Sequence, residues 1–167
     1  MSGELNSVVW TKRNRLRNLI VSLDRLDGQD VSWGFFEESG QHPESPHLNY
    51  PTLAYIHEFR EDGVAQRPLL GISHQKNKVR MKQFSLFETK KFIERAAQLK
   101  RESPAILLRK IGDKGVAMTK PIFGDSSLLT PNTDAVAAKK GFNAPLVEYG
   151  ALKEALSSKV SWNGIVK

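Results

Sequence analysis

The amino-acid sequence predicts an α+β domain, a small and mostly antiparallel sheet packed with helices, that begins with a long N-terminal helix. Apolar residues recur at three- and four-residue steps up to Leu26, which is the period of an amphipathic helix. β-branched and aromatic residues are concentrated from Val31 to Glu37, as in a strand. Ser103-Pro104 and Thr130-Pro131 each place a capping residue before a proline, which indicates a helix start.

The N-terminal helix is predicted from Val8 to Leu26, and Gly28 ends it. Its apolar stripe consists of Leu16, Leu19, Ile20, Leu23 and Leu26. A basic cluster, Lys12, Arg13, Arg15 and Arg17, occupies the turns before and within the start of that stripe. Because Lys12 and Arg13 would project on the same side as Leu16, we expect the first turns of the helix to project away from the core.

The remaining elements follow from local signals. Thr52 is expected to cap a short helix over 53–59, and Arg67-Pro68 to lead into an extended segment over 69–72. The alternating cations of 75–82 fit either an exposed strand edge or a solvated helix. Further helices are predicted over 85–102, 104–111 ended by Gly112, and 132–140 ended by Gly141, with a helical turn at 151–156 and a closing strand at 157–166. Residues 38–51, rich in Gly, Pro, Ser, Asn and His, are predicted to form a long loop.

Composition narrows the class of protein. The chain of 167 residues suits one domain spanning 1–167. With 40% hydrophobic and 26% charged residues, and charges interrupting every apolar run, it fits a globular protein without a membrane segment. Cysteine is absent, which excludes disulfides and thiol chemistry. The net charge of +7 favours polyanions or an acidic protein as partners.

The residues that could perform catalysis do not form a known motif, so we expect no enzyme, no cofactor and no metal site. His57-Glu58 is the only adjacent His/Glu pair, and a zinc-protease helix would need histidine where Glu61 stands. No serine nucleophile motif is present, and residues 112–115 lack the spacing of a phosphate-binding loop. The basic cluster has two open interpretations: a surface that contacts DNA phosphates without reading sequence, or a solvated helix turn.

Two blocks together resemble a known family. The first is LAYIHEFREDGVAQRPLLGIS, Leu53 to Ser73, and the second is LTPNTDAVAAKKGFNAPLVEYGALKEALSSKVSW, Leu129 to Trp162. Both resemble, in the same order, the tail-completion and head–tail joining proteins of tailed bacteriophages, the virion morphogenesis and minor-tail-Z-like group. The matching positions are His57, Glu58, Phe59, Arg67, Pro68, Pro145, Leu146, Gly150 and Leu152.

The resemblance implies a structural virion protein of the phage neck, made in the bacterial host cytoplasm. Such a protein would complete or terminate the tail and join it to the head connector as a homo-oligomeric ring, most plausibly a hexamer. Its partners would be the tail-tube protein and the connector or stopper proteins, with non-specific contact between the basic cluster and packaged DNA. The long loop 38–51 would then lie at a subunit or ring–ring contact.

The motif residues can be interpreted structurally as well. Glu58 could accept hydrogen bonds from a helix end or pair with Arg67, Pro68 would fix the following segment, and Gly150 would allow a tight turn. Leu146 and Leu152 would be core or subunit interface. Two alternatives from other classes remain: a DNA-binding module that uses 12–17 and 76–82 as a phosphate track, and, ranked last, a hydrolase that uses His57 and Glu58.

Overall fold

The computed structural model describes residues 2–42, 45–59, 65–98, 103–147, 150–162 and 165–166; for 2–13, 45–46 and 165–166 it describes the backbone alone. Within these residues the protein is α+β and 64% helical, which confirms the predicted class. The described helices are α1 (Ser2–Leu26), α2 (Tyr50–Phe59), α3 (Leu69–Ala97), α4 (Pro104–Thr119), α5 (Asp134–Lys140) and α6 (Ala151–Ala155). The described strands are β1 (Gln29–Gly34), β2 (Gln41–His42), β3 (Ser45–Asn49), β4 (Ser157–Trp162) and β5 (Ile165–Val166).

The strands form two small sheets. One has the order β1-β4-β5, with β4 antiparallel to β5, and the other is the antiparallel pair β2-β3. The predicted single closing strand over 157–166 is therefore wrong, because its two halves pair with each other. Its alternating pattern was correct for a strand but could not show where the chain reverses.

Residues 38–51 are not the long loop that their composition suggested. They contain β2, β3 and the start of α2, because pairing between the strands satisfies backbone groups that a loop would leave to water. Asn49, rather than Thr52, caps α2: its side-chain oxygen accepts from the Thr52 amide at 2.8 Å. A subunit contact at this segment stays a prediction.

Two predicted helix boundaries are also wrong. Residues 69–72 are not extended but form the first turn of α3, which continues through the cationic run to Ala97. Helix α4 passes Gly112 and ends only at Thr119. A glycine is required inside α4 at Gly115, because a Cβ there would lie 2.4 Å from Cδ2 of Trp33. Residues 112–115 are therefore helical, and Gly115 makes room for an aromatic ring.

The C-terminal ends of α1 and α5 agree with the sequence, whereas their starts do not. Helix α5 ends at Gly141, as predicted, and Gly141 adopts φ 76° and donates its amide hydrogen to Ala137 O at 2.9 Å. The N-cap of α5 is Thr133, so the helix start predicted at Thr130-Pro131 is wrong. Helix α6 occupies the predicted turn. Helix α1 reaches Leu26 and is followed by Gly28 with φ 71°, as predicted, but it begins at Ser2 rather than at Val8. The apolar stripe of α1 is largely exposed, since Leu16 keeps 60% and Ile20 48% of its surface.

The chain divides into two compact units. The first, formed by 1–32, 81–111 and 159–167, has Phe92, Ala96, Leu107 and Leu108 as its most buried apolar side chains. The second, formed by 33–80 and 112–158, has a core of Tyr50, Leu69, Ile122, Phe123, Leu129, Leu146, Leu152 and Leu156. Helices α3 and α4 contribute residues to both units, and the single domain over 1–167 stays a prediction. None of the described helices is long and apolar enough to span a membrane.

Candidate functional site

Glu58, at the end of α2, caps the start of α3. Its Oε2 accepts a hydrogen bond from the Leu70 amide at 3.0 Å and its Oε1 accepts from the Gly71 amide at 2.8 Å. These are amides of the first turn of a helix, which have no acceptor within the helix and carry its positive end. The predicted helix-end donor for Glu58 is thus confirmed, whereas the alternative partner, Arg67, is not: the bonds of Arg67 go elsewhere. Pro68 directly precedes α3 and its carbonyl accepts from Ile72 at 2.9 Å.

Arg67 is buried, with 9% of its surface exposed, and joins the first motif block to the second. Its Nε donates to the Thr130 carbonyl at 2.7 Å, and its Nη2 donates to the Pro131 carbonyl at 3.1 Å and to Asn132 Oδ1 at 3.2 Å. Its own amide donates to the His57 carbonyl at 2.7 Å. Arg67 therefore holds the segment before α5 through its guanidinium and the end of α2 through its backbone amide. Burial lowers the pKa of its guanidinium.

The second block is held by further bonds to the same segment. The backbone amide of Asn132 donates to Asn143 Oδ1 at 2.9 Å, and its side-chain amide donates to the Ala144 carbonyl at 3.2 Å. Pro145 is fully buried, and its carbonyl accepts from Gly124 at 2.9 Å. Leu146 and Leu152 belong to the core, as predicted. Gly150 adopts φ 70° at the start of α6, which confirms the predicted tight turn.

His57 lies beside a cavity of about 410 Å³ within the second unit. Burial, with the positive charges of Arg67 and Lys140, lowers the pKa of His57 to about 4, although a hydrogen bond to the Ala65 backbone acts in the opposite direction. The imidazole is therefore neutral at pH 7. Its Nδ1 is buried and has no hydrogen-bond partner in the described structure. A buried nitrogen without a partner is uncommon and costs free energy.

The cavity has a positive and partly apolar lining. Its described lining residues are His42, Leu53, His57, Ala65, Arg67, Asn132, Thr133, Val136, Lys139, Lys140, Leu146 and Leu152. This set includes three cationic side chains and no aspartate or glutamate. The volume lies in the range that small-molecule sites occupy, about 300–1,000 Å³. The arrangement is suited to holding an anion, and the described part of the chain contains no group of three or more His, Cys, Asp or Glu residues that could bind a metal.

Phe59 is the motif residue that lies outside this packing. It is 61% exposed and its ring packs against that of Tyr55 at 4.8 Å between centroids. Tyr55, which the helical pattern would turn inward, is itself 51% exposed. The pair forms an apolar surface at the end of α2.

The basic cluster belongs to the first unit, whereas the motif residues belong to the second. Arg15 and Arg17 are exposed on α1, and the side chains of Lys12 and Arg13 lie outside those the structure describes. Lys76, Lys78, Arg80 and Lys82 are all exposed on α3, so the helical alternative for this run is confirmed. Since a helix turns about 100° per residue, 76 and 80 share one face and 78 and 82 another, roughly 200° away.

Sequence reasoning missed the residues that complete the site. Thr130, Pro131 and Asn132 meet Arg67 through two backbone carbonyls and one amide, and these partners lie 63 to 65 residues away in sequence. Every residue type has a backbone carbonyl, so no pattern could mark them. Thr133, Val136 and Lys139 were visible only as parts of a short helix. A scan against protein-family models, a search of curated proteins and a search of solved structures found no match.

Proposed function

We infer that the protein is a structural, non-catalytic component of the neck of a tailed bacteriophage. It completes or terminates the tail and joins it to the head connector by assembling into a homo-oligomeric ring, a hexamer. The basis is the resemblance of the two blocks to tail-completion and head–tail joining proteins, in the same order along the chain.

One observation supports this proposal above the others: a motif residue of the first block bonds the second block. Arg67 of the first block donates to the backbone carbonyls of Thr130 and Pro131 in the second. Leu146 and Leu152 border the same cavity as His57. Residues that bond one another act by fixing a fold. A motif with that role suits a subunit whose work is to present fixed docking surfaces rather than to perform chemistry.

The chemistry of the candidate hydrolase pair also favours a structural role. Both oxygens of Glu58 accept bonds from backbone amides, so the carboxylate is occupied in capping α3. His57 has an unpartnered nitrogen but no serine, threonine or carboxylate bonded to it in the described residues. A general base needs a nucleophile within hydrogen-bond reach.

Exposed apolar side chains supply surfaces for assembly. Leu86 keeps 62% and Phe87 55% of its surface on α3, and Leu16 keeps 60% on α1. Contiguous exposed apolar side chains, such as the neighbours Leu86 and Phe87, are characteristic of surfaces that other chains cover.

The test is native mass spectrometry of the purified full chain, alone and with the tail-tube protein of the same phage. We expect a hexamer, or hexamers formed on addition of tail tube. Leu86→Glu should reduce the assembled fraction, whereas Gln83→Glu, one helical turn earlier and also exposed, should not. A chain that stays monomeric at tens of micromolar and does not bind the tail tube would overturn the proposal.

The exposed cations of α3 favour a second candidate function, non-sequence-specific DNA binding. Lys76, Lys78, Arg80 and Lys82 form no ion pair in the described structure, so they are available to phosphates. Fluorescence anisotropy with duplex DNA at several salt concentrations tests it. A DNA-binding module should bind as a monomer with a steep salt slope, and Lys78→Glu with Lys82→Glu should reduce that slope by about 2. Binding that is absent at 50 mM salt would exclude this function.

A further inference from the structure

We propose that the cavity beside His57 and Arg67 binds a small ligand through an oxyanion, either a carboxylate or a phosphate group. This role is separate from ring assembly. Each can therefore fail without the other: an empty cavity leaves the oligomer unchanged, and a monomer can still bind the ligand.

The charge of Arg67 is the first reason. The side chain is buried, yet all three of its acceptors are neutral: two backbone carbonyls and an amide oxygen. In the described part of the chain it forms no ion pair with a carboxylate, and its Nη1 has no acceptor. Buried charges in proteins are usually paired, because removing a charge from water is costly. An anion in the adjoining cavity would supply the missing charge.

The lining of the cavity is the second reason. Lys139 is exposed on α5 at the cavity and adds positive charge to that of Arg67. The described lining holds no carboxylate to cancel these charges. The positive charges of Arg67 and Lys140 also act on His57, and both lower the pKa of its imidazole. A cleft lined by one sign of charge attracts ligands of the opposite sign.

Unused hydrogen-bonding groups are the third reason. Nδ1 of His57 is buried without a partner, and the Thr133 hydroxyl makes no capping bond to α5 although it occupies the N-cap position. Both residues line the cavity. A polar group that lines a cavity without an internal partner, as Thr133 does, is typical of a site that orients a ligand. Nδ1 of His57 has almost no accessible surface in this structure, so the imidazole would have to rotate to offer that nitrogen to a ligand.

The apolar part of the lining sets the size of the ligand. Leu53, Val136, Leu146 and Leu152 border the same volume of about 410 Å³. An anion alone would leave these side chains without contacts. We therefore expect a ligand with a short apolar body, such as a small aliphatic acid or a phosphate ester, in place of a polymer.

The experiment measures thermal unfolding of the full chain with sodium butanoate, inorganic phosphate or sodium chloride at matched ionic strength. Butanoate or phosphate should raise the midpoint in a saturable way that chloride does not reproduce. A larger effect of butanoate would assign a carboxylate ligand, and a larger effect of phosphate a phosphoryl ligand. No saturable effect of either anion up to 50 mM would overturn the proposal.

Two variants localise the effect. Lys139→Glu should weaken the apparent affinity at least tenfold, because it places a negative charge at the cavity. Lys78→Glu makes the same change in charge on an exposed residue of the same unit that does not line the cavity, and should change the affinity by less than twofold. Equal weakening by both variants would show general charge attraction and overturn the proposed site.

Methyl NMR of the unaltered chain gives a measurement that does not depend on a variant folding. Adding the effective anion should shift the signals of Leu53, Val136, Leu146 and Leu152 together, with one dissociation constant. The exposed Val79 and Leu86, which are not among the lining residues, should not shift. Shifts confined to methyl groups outside the cavity would contradict the proposal.

Discussion

The charged residues of the motif blocks and those of α1 differ in what surrounds them. Arg67 and Glu58 each bond two or more groups of the main chain, and Arg67 is buried. Arg15 and Arg17 are exposed on α1 and make no hydrogen bond or ion pair in the described structure. The two sets look alike in sequence, as polar residues near apolar ones, but they contribute to different properties of the protein.

Solvent explains the difference. A charge that has left water depends on its partners, so removing one side of the contact leaves groups unsatisfied and lowers stability. A charge in water is already solvated and is screened within about 10 Å in 0.1 M salt, so it affects association more than folding. Substitutions at both sets measure how far this distinction extends.

The largest effect is expected at Arg67. Arg67→Met removes the donor to Thr130 O, Pro131 O and Asn132 Oδ1 and should lower the free energy of unfolding by about 3 kcal/mol. Arg67→Lys keeps the charge but cannot reach three acceptors with one ammonium, and should cost about 2 kcal/mol. Urea denaturation measures both. A loss below 1 kcal/mol in both variants would show that the contact between the blocks does not depend on this residue.

The next effect is the dependence of stability on pH through His57. Its pKa is about 4 in the folded protein and 6.5 in the unfolded chain, so the unfolded state binds more protons between these values. Its contribution is fully present above pH 6.5 and is lost as the pH falls toward 4, amounting to about 2 kcal/mol after screening of this partly buried group. The free energy of unfolding of the unaltered chain, measured at pH 7 and pH 5 in buffers without carboxylate or phosphate, should show about half of this loss.

The His57→Gln variant is the control for that measurement. It should lack this part of the pH dependence, because glutamine does not titrate. An identical pH dependence in both chains would assign the effect to other groups.

A smaller effect is expected at Glu58. Glu58→Gln leaves one oxygen to serve two amides and removes the negative charge at the start of α3, so the free energy of unfolding should fall by about 1.5 kcal/mol. Glu154→Gln is the matched control, since Glu154 is 76% exposed and makes one ion pair, with Lys120 at 3.3 Å. The control should lose less than about 0.5 kcal/mol. Equal losses would show that the capping role of Glu58 contributes no more to stability than an exposed carboxylate does.

The smallest effect is expected on α1. Replacing Arg15 and Arg17 together by glutamine should change the free energy of unfolding by no more than about 0.5 kcal/mol, as for other exposed positions. Retention on a polyanion column should nevertheless fall, since two positive charges are lost. A loss of more than about 1 kcal/mol in the free energy of unfolding would show that these arginines contribute to folding as the charges of the motif blocks do.

The agreement between sequence and structure depends on how local the deciding interactions are. Helix α5 could be placed from its C-terminal Gly141, and α1 from its apolar period, because both signals act within a few residues. The start of α3 could not be found, since its cap, Glu58, lies 12 residues before Leu70. The end of α4 was predicted at Gly112, and the helical role of Gly115 could not be recognised because Trp33, the ring that requires it, is distant in sequence.

The same limit applies to the candidate site. Four motif residues were identified from the sequence: His57, Glu58, Arg67 and Leu146. The structure places His57, Arg67 and Leu146 around one cavity and Glu58 at the start of α3. The partners of Arg67 and the cavity-lining residues of α5 were not identified from the sequence, because they reach the cavity only when the second block folds against the first.

By itself, then, the sequence determined the α+β class, the positions of most helices and the residues that carry the family resemblance, since period, caps and residue order are local properties. The tertiary structure decided which apolar stripes and which charges are removed from water. The stripe of α1 remains exposed, whereas Arg67 is enclosed with neutral acceptors. Burial is a property of contacts between distant segments, and for that reason the cavity and its charge could be recognised only in the folded chain.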